Sequence, residues 1–416
     1  MWFRKKRLYV DAAAATPISP RAKQELVRLL DLYGNPGALH KEAVEAKKEL
    51  DLARDSIAAS IGAHADEIIF VASGTEANNL SITGVLLPLL RAGKKASPVD
   101  GLRPRVHAIT SVIEHHSVLE PLRALQSEGL LLTELPVDSE GLVSAEQVTN
   151  AITDTTVFVS VQLINSEIGT IEPIRDIAKV LRRASHKIYF HCDASQAPLW
   201  LPVNVEKLGV DLLTLDAQKI LGPKGVGALY VRRGVVLEPM MRGSKQERGL
   251  RGGTENTPLV GSFAVALAAA QKGVIERAAR IAAVRDACIA EIQKYIPDVH
   301  INGPAQNPLR QSAVPQPGSA PAFPHRVANN INLSVPGLDR EMAVIGLDAE
   351  GVAATTRSAC NVVDKDPSHV IEAIGTPKEL HTTAIRITFL PDATHADARR
   401  VARALTEIAR RYRSVV

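Results

Sequence analysis

A chain of 416 residues is long enough for two or three domains' worth of core, and 45% apolar with 23% charged residues is the balance of an ordinary globular protein. A formal charge of +4 is too small for this length to argue for nucleic acid, and no apolar run approaches the roughly 20 residues that span a bilayer. The opening "MWFRKKRLYV" lacks the apolar centre of a signal peptide, so the expected compartment is the cytoplasm and its basic run reads as a solvated flank.

Ser19 followed by Pro20 announces a first helix, an N-cap with proline at the first helical position. Residues 67–71 form a strand candidate, and a helix-like segment follows from Thr75. Further strands are expected at 106–110, 156–161, 187–191, 210–215 and 227–231, with amphipathic stretches such as 174–183 between several of them. This alternation predicts an α/β fold with a largely parallel sheet covered on both faces. In such sheets ligands sit beyond the carboxyl ends of the strands. After Thr257 the pattern changes. A long helical stretch at 259–295 is followed by a Pro-, Gln- and Ser-rich segment, then strands at 330–335 and 384–388 and a closing helix from about His395. The expected division is a large α/β domain over 16–262 and a smaller α+β domain from 1–15 and 263–416, with the Pro-rich insertion near 303–326.

Several polar residues fall just past the strand candidates. Lys219 follows an apolar run, where burial disfavours the charged amine and makes it a nucleophile towards aldehydes. A lysine snorkelling to solvent is the plainer alternative. Asp193 ends another apolar run and is placed to face a ring nitrogen, or simply to cap the strand. A lysine amine with such a carboxylate is the pair that pyridoxal phosphate requires. Gly74 and Thr75 open a helix whose free N–H groups favour a phosphate, though capping explains them equally well. His115 is suited to stacking on a ring and to moving protons near neutral pH. Three cysteines show no metal-ligand spacing, and no metal is expected. Cys192 and Cys288 read as core residues, whereas Cys360 lies among polar neighbours.

The order and spacing of these residues resemble the cysteine desulfurases, a branch of the class V aminotransferases among the fold-type I pyridoxal phosphate enzymes. The resemblance runs from Tyr9-Val-Asp11 through Ser73-Gly-Thr-Glu76, Glu114-His115, Asn165-Ser-Glu-Ile-Gly169, Asp193-Ala-Ser-Gln196 and Lys219. It continues through the "QERGLRGGTEN" loop at 246–256, Arg357-Ser-Ala-Cys360 and Ile385-Arg386. It implies that Lys219 carries the pyridoxal 5'-phosphate cofactor covalently and moves the substrate's Cα proton. It implies that Asp193 faces the ring nitrogen, that His115 stacks on the ring, and that Gln196, Asn165 and Ser166 reach the phenolic oxygen. Gly74, Thr75 and Gln218 would contact the phosphate, joined by Thr254 from a second subunit of a homodimer. Arg386, with Asn165 nearby, would bind the substrate carboxylate. Cys360 would attack the sulfur of L-cysteine, leaving a persulfide on the enzyme and releasing alanine. The sulfur would pass to an acceptor protein such as an iron–sulfur scaffold or a tRNA-thiolation protein.

The chain also departs from that family's pattern. Asp216 stands where a small hydroxyl residue is usual, Gln218 where a histidine is, and Ser166 where a second asparagine is common. An ionised Asp216 would repel a phosphate by roughly 4 kcal/mol at 4 Å and an effective dielectric of 20. It is expected to point away, to be protonated, or to pair with a cation such as Arg242 or Lys245. The rival readings are a selenocysteine lyase or cysteine sulfinate desulfinase of the same fold, and a scaffold without firm cofactor binding.

Overall fold

The computed structural model describes residues 7–95, 105–304, 325–356 and 367–413. In chain order the strands are β1 (Leu8–Tyr9), β2 (Ile68–Val71), β3 (Val106–Ser111), β4 (Leu130–Leu135), β5 (Thr156–Ser160) and β6 (Tyr189–Asp193). There follow β7 (Leu212–Asp216), β8 (Gly227–Val231), β9 (His300–Ile301), β10 (Asn330–Ser334), β11 (Val352–Ala353) and β12 (Ala384–Thr388). Seven of them form one sheet in the order β2-β8-β7-β6-β5-β3-β4. The pairs from β4 across to β7 are parallel, and β8 runs antiparallel between β7 and β2. Two reversals leave β2 pointing the same way as β7. The carboxyl ends of β2, β3, β5, β6 and β7 therefore share one edge.

Strands buried on both faces read as continuous apolar runs. Every residue of β2, β7 and β8 is buried, and so is every residue of β3. Helices cover the sheet. The first, α1 (Pro20–Leu29), starts at Ser19, whose hydroxyl accepts from the Ala22 N–H as an N-cap should. The second, α2 (Lys41–Ile61), ends at Gly62, whose φ of +68° is the left-handed cap glycine tolerates. The third, α3 (Gly74–Lys95), follows β2, and α4 (His116–Gln126) follows β3. A second, antiparallel sheet has the order β12-β10-β9, and β1 pairs with β11. The chain leaving β1 bridges to β12 through Asp11 and Thr388, so the N-terminal segment lies against the edge where the large sheet's strands end.

Three details differ from the sequence reading. The stretch at 259–295 is two helices, Thr257–Gln271 and Val274–Tyr295, bent by 72° at a break where Gly273 has φ +62°. The strand β4 was not foreseen, because only its end residues are buried and its alternation is poor. The strands expected at 187–191 and 210–215 begin two residues later, making Asp193 and Asp216 the last residues of their strands. Among the described residues no single helix is long and apolar enough to cross a membrane. The bent pair passes on length and composition alone, and most of its large apolar side chains lie in the core, Ile275 excepted.

One buried cation joins the two sheets. The Arg326 guanidinium is fully buried and donates to the carbonyls of Asn302, Pro304 and Ile168 at 2.6–3.0 Å. Arg326→Met leaves those carbonyls without donors. It is expected to destabilise the protein by about 3 kcal/mol, measured by chemical denaturation; a change under about 1 kcal/mol would contradict this account.

Candidate active site

The shared strand edge opens into a cavity of about 270 Å³. Asp193 and Asp216 reach it from adjacent parallel strands, where Asp193 is in register with Thr214. A three-residue turn, Ala217–Lys219, then brings Lys219 round to the same hollow. The Lys219 Nζ donates to the carbonyls of Ala13 and Ala14 at 2.9 and 2.6 Å. The turn is held by Thr16, whose hydroxyl donates to the Gln218 carbonyl at 2.7 Å and accepts from the Leu221 N–H at 2.8 Å. Gly222 passes so close to Ala217 that a Cβ there would meet its carbonyl oxygen at 2.7 Å.

Asp193 is braced on both oxygens. The Asn78 amide donates to Oδ2 at 2.8 Å and the Ser195 N–H to Oδ1 at 2.9 Å. Asn78 lies one helical turn into α3 and also donates to the Ser117 hydroxyl at 2.8 Å. Ser117 in turn sits 2.7 Å from His115 Nδ1, which also accepts the Ser117 N–H. With Nδ1 an acceptor, the neutral His115 ring carries its proton on Nε2. Burial lowers the pKa of His115 below the usual imidazole value, Asp193 opposes this and Lys219 adds to it.

Arg386, from the middle of β12, is 1% exposed. One of its terminal nitrogens donates to Asp11 at 2.8 Å and the other to the Ser166 carbonyl at 3.2 Å. Its Nε is buried without a partner, as is the Asn78 Oδ1. A guanidinium on a cavity wall is suited to a carboxylate.

Gly74, Thr75, His115, Ser166, Asp193, Gln196, Asp216, Gln218, Lys219 and Arg386 all line this cavity. Gln196 donates to the Ala13 carbonyl at 2.9 Å. Asn165 does not line it: its amide donates to the Ile113 carbonyl and accepts from the Glu167 and Ile168 N–H groups, closing a turn. Thr254 is exposed and outside the cavity. Cys360 and Arg357 lie outside the described residues. Cys192 and Cys288 are buried, and burial raises both thiol pKa values, that of Cys288 to about 12. Asn78, Ser117 and Ser195 were missed, although Ser195 lies inside the "DASQ" string and Asn78 follows Gly74 at helical i, i+4 spacing. A larger groove of about 770 Å³, lined by Val137, Leu163, Ile174 and Leu201 together with Asp138, Glu172 and Arg175, shares no residue with this cavity and contains no lysine.

The aminotransferase class-V family matches residues 8–401. The cysteine desulfurase IscS of Dictyoglomus turgidum is 38% identical over 99% of this chain and 96% of its own. The chain belongs to the class-V aminotransferase family, and within it to the cysteine desulfurases. A solved NifS-like protein superposes with a TM-score of 0.83 at 28% identity, covering 97% of this chain and 99% of that one. SspA, solved in complex with cysteine, gives a TM-score of 0.74 at 31% identity over 93% of this chain and 100% of that one. The fold is therefore that of the fold-type I class-V enzymes, and the cavity falls where such sheets bind ligands, beyond the strand ends.

Behind the cavity Glu114 is fully buried, accepting from Ser111 and the Gln162 N–H. Burial, with a smaller contribution from the Asp193 charge, pushes its pKa up to about 8. The native state thus keeps a proton that the unfolded chain loses near pH 4.5. Between those values the native state binds more protons, so stability declines as pH rises, and the decline ends above about pH 8. Glu114→Gln removes this titration. It should gain on the parent from about pH 5 to about pH 8, by on the order of 1–3 kcal/mol, in denaturation curves taken across that range. A difference that does not change with pH would refute the assignment.

Proposed function

We propose that this chain is a homodimeric, pyridoxal phosphate-dependent cysteine desulfurase that forms a persulfide on Cys360. The observation that carries the proposal is the convergence of Lys219, Asp193, His115 and Arg386 on one cavity. The donor set fits the pyridine end of the cofactor. It offers an amine for the aldehyde, a braced carboxylate for the ring nitrogen, and an imidazole beside them. Bound there, the cofactor supplies an electron-withdrawing ring that stabilises negative charge at a substrate's α-carbon.

This chain's residues do the rest. Asp193, fixed by Asn78 and the Ser195 N–H, accepts the ring nitrogen's proton in a hydrogen bond. Lys219 provides the covalent anchor and moves the α-proton. His115, neutral with its proton on Nε2, acts as acid or base near the substrate. Arg386 binds the substrate carboxylate from the cavity wall, and Asp11 holds the guanidinium in place. The cysteine bound to SspA supports L-cysteine as substrate.

The described residues flanking the Cys360 segment favour its role. Thr355 exchanges backbone hydrogen bonds with Arg386, and His369 contacts the Glu114 carbonyl at 3.1 Å. Attack by the Cys360 thiolate on the substrate sulfur forms the S–S bond and breaks the sulfur's bond to the β-carbon, which keeps the electron pair, with the bound cofactor ring as the sink, and takes up a proton. Alanine then leaves, and the sulfur stays as the enzyme's persulfide for transfer to an acceptor protein. A second copy of the chain is supported by the apolar surface of the N-terminal region, where Val27, Leu30 and Tyr33 are exposed and Leu39 is 97% exposed. Thr254, also exposed, is then free to complete the partner's phosphate site. A soluble cytoplasmic enzyme is part of the same reading.

Purified protein supplied with pyridoxal phosphate should turn yellow, sediment as a dimer and release alanine from L-cysteine. Cys360→Ala should keep the colour and lose sulfur transfer by about a hundredfold or more, while Lys219→Ala should lose both. A Cys360→Ala variant that forms alanine and transfers sulfur at the parental rate would refute the persulfide role. Greater activity on selenocysteine or cysteine sulfinate would move the enzyme to a neighbouring lyase activity.

A further inference from the structure

The end of the cavity at the start of α3 already contains an anion. Asp216 is 7% exposed, and its Oδ2 accepts from the Gly74 N–H at 3.3 Å and the Gln218 amide at 3.2 Å. Its Oδ1 accepts from the Gln218 N–H at 3.2 Å. These are the donors that a helix N-terminus and its neighbouring turn would offer a phosphate. The space is narrow: a Cβ on Gly74 would lie 3.0 Å from the Ser195 hydroxyl and 3.3 Å from Asp216 Oδ2. None of the three hydrogen bonds to Asp216 comes from a cation. Arg242, which the sequence offered as a partner, pairs with Glu238, and Arg251 pairs with Glu76 at 3.3 Å.

We propose that the Asp216 carboxylate occupies the anion seat of this cradle, so that the chain gains little affinity from the phosphate of pyridoxal phosphate and releases the cofactor readily. The inference rests on the cofactor reading above and adds to it which half of the cofactor holds it in place. An incoming phosphate must either displace Asp216 from the Gly74 N–H and the Gln218 amide, or lie beside a like charge. A hydroxyl at position 216 would instead donate to the phosphate. The pyridine end is untouched by this conflict, because Lys219, Asp193 and His115 have other hydrogen-bond partners. Retention should therefore depend on the Lys219 linkage more than on the phosphate.

The test compares dissociation constants for pyridoxal phosphate and for pyridoxal, which lacks the phosphate. They are read from the visible spectrum of cofactor-free full-length protein in the parent, Asp216→Asn and Asp216→Ser. The asparagine variant keeps the shape and removes the charge, and the serine variant can still cap the turn. Both should bind pyridoxal phosphate at least about tenfold tighter than the parent, with pyridoxal within about twofold across all three. Pyridoxal phosphate constants within about twofold of the parent in both variants would overturn the inference. Spectra independent of Lys219 with either compound would overturn the cofactor reading, and this inference with it.

Discussion

The parallel register of β6 against β7 is the constraint on which the site depends. It sets Asp193 level with Thr214, two residues short of Asp216, and a single turn after Asp216 delivers Lys219. A slip of one residue would turn every side chain of the moving strand to its opposite face. The register is secured from within. His191 is buried between the two neighbouring strands, 2.8 Å from the Ser160 hydroxyl and 3.1 Å from that of Thr214. Burial lowers its pKa to about 4, so a neutral imidazole serves as a polar pin two residues below Asp193. Its two ring nitrogens have distinct partners on either side, which a slipped strand could not satisfy together.

A second dependence runs through the N-terminal segment. Its carbonyls at Ala13 and Ala14 receive Lys219, Ala13 also receives Gln196, and Asp11 receives Arg386. That segment is anchored to β12 by Thr388, whose N–H donates to the Val10 carbonyl at 2.7 Å. The cofactor-side lysine and the substrate-side arginine are therefore positioned by one stretch of backbone. Movement of the small antiparallel sheet against the large one would disturb both at once. Arg326, bonded to carbonyls from both sides of that junction, opposes such movement.

The sequence made most of this legible because polar residues interrupt apolar strands at their ends. Lys219, Asp193, His115 and Asp216 stand out for that reason, and the rule that ligands lie beyond strand ends brings them together. The half-buried edge strand β4 and the break at Gly273 were harder to see, since neither changes the local apolar content much. The backbone carbonyls that hold Lys219 have no sequence signature, because every residue carries one. Asn78 looks like an ordinary polar position on a helix until the fold sets it beside Asp193 and Ser117. Asn165 shows the converse. Its type and position suggest a ligand-facing amide, but three backbone groups need that amide to close the turn after β5. A cation, one of the three ways of accommodating Asp216 that the sequence allowed, is not among its hydrogen-bond partners, which are the Gly74 N–H and the N–H and amide of Gln218.

Backbone strain falls on the lysine turn and on the loop that carries Thr254. Among the described residues three non-glycine residues have positive φ: Leu221 at 65°, Glu247 at 45° and Arg248 at 58°. Such conformations cost on the order of 1–3 kcal/mol each and persist only where the surroundings over-determine them. Leu221 lies two residues past Lys219, and both its backbone groups are held: the N–H by the Thr16 hydroxyl and the carbonyl by the Ser19 N–H. Glu247 is buried and accepts two bonds from Arg54, at 2.6 and 2.9 Å, and one from the Phe70 N–H at 2.8 Å. Arg54 itself lies over the Phe70 ring. Breaking that buried pair would free the loop at 246–256 to relax, because removing one partner leaves the other charge uncompensated. The pair therefore acts at a distance from the cavity by fixing the start of the loop that ends near Thr254. The lysine turn and this loop are both held in strained shapes by neighbours that belong to the fold, which places them before any ligand arrives.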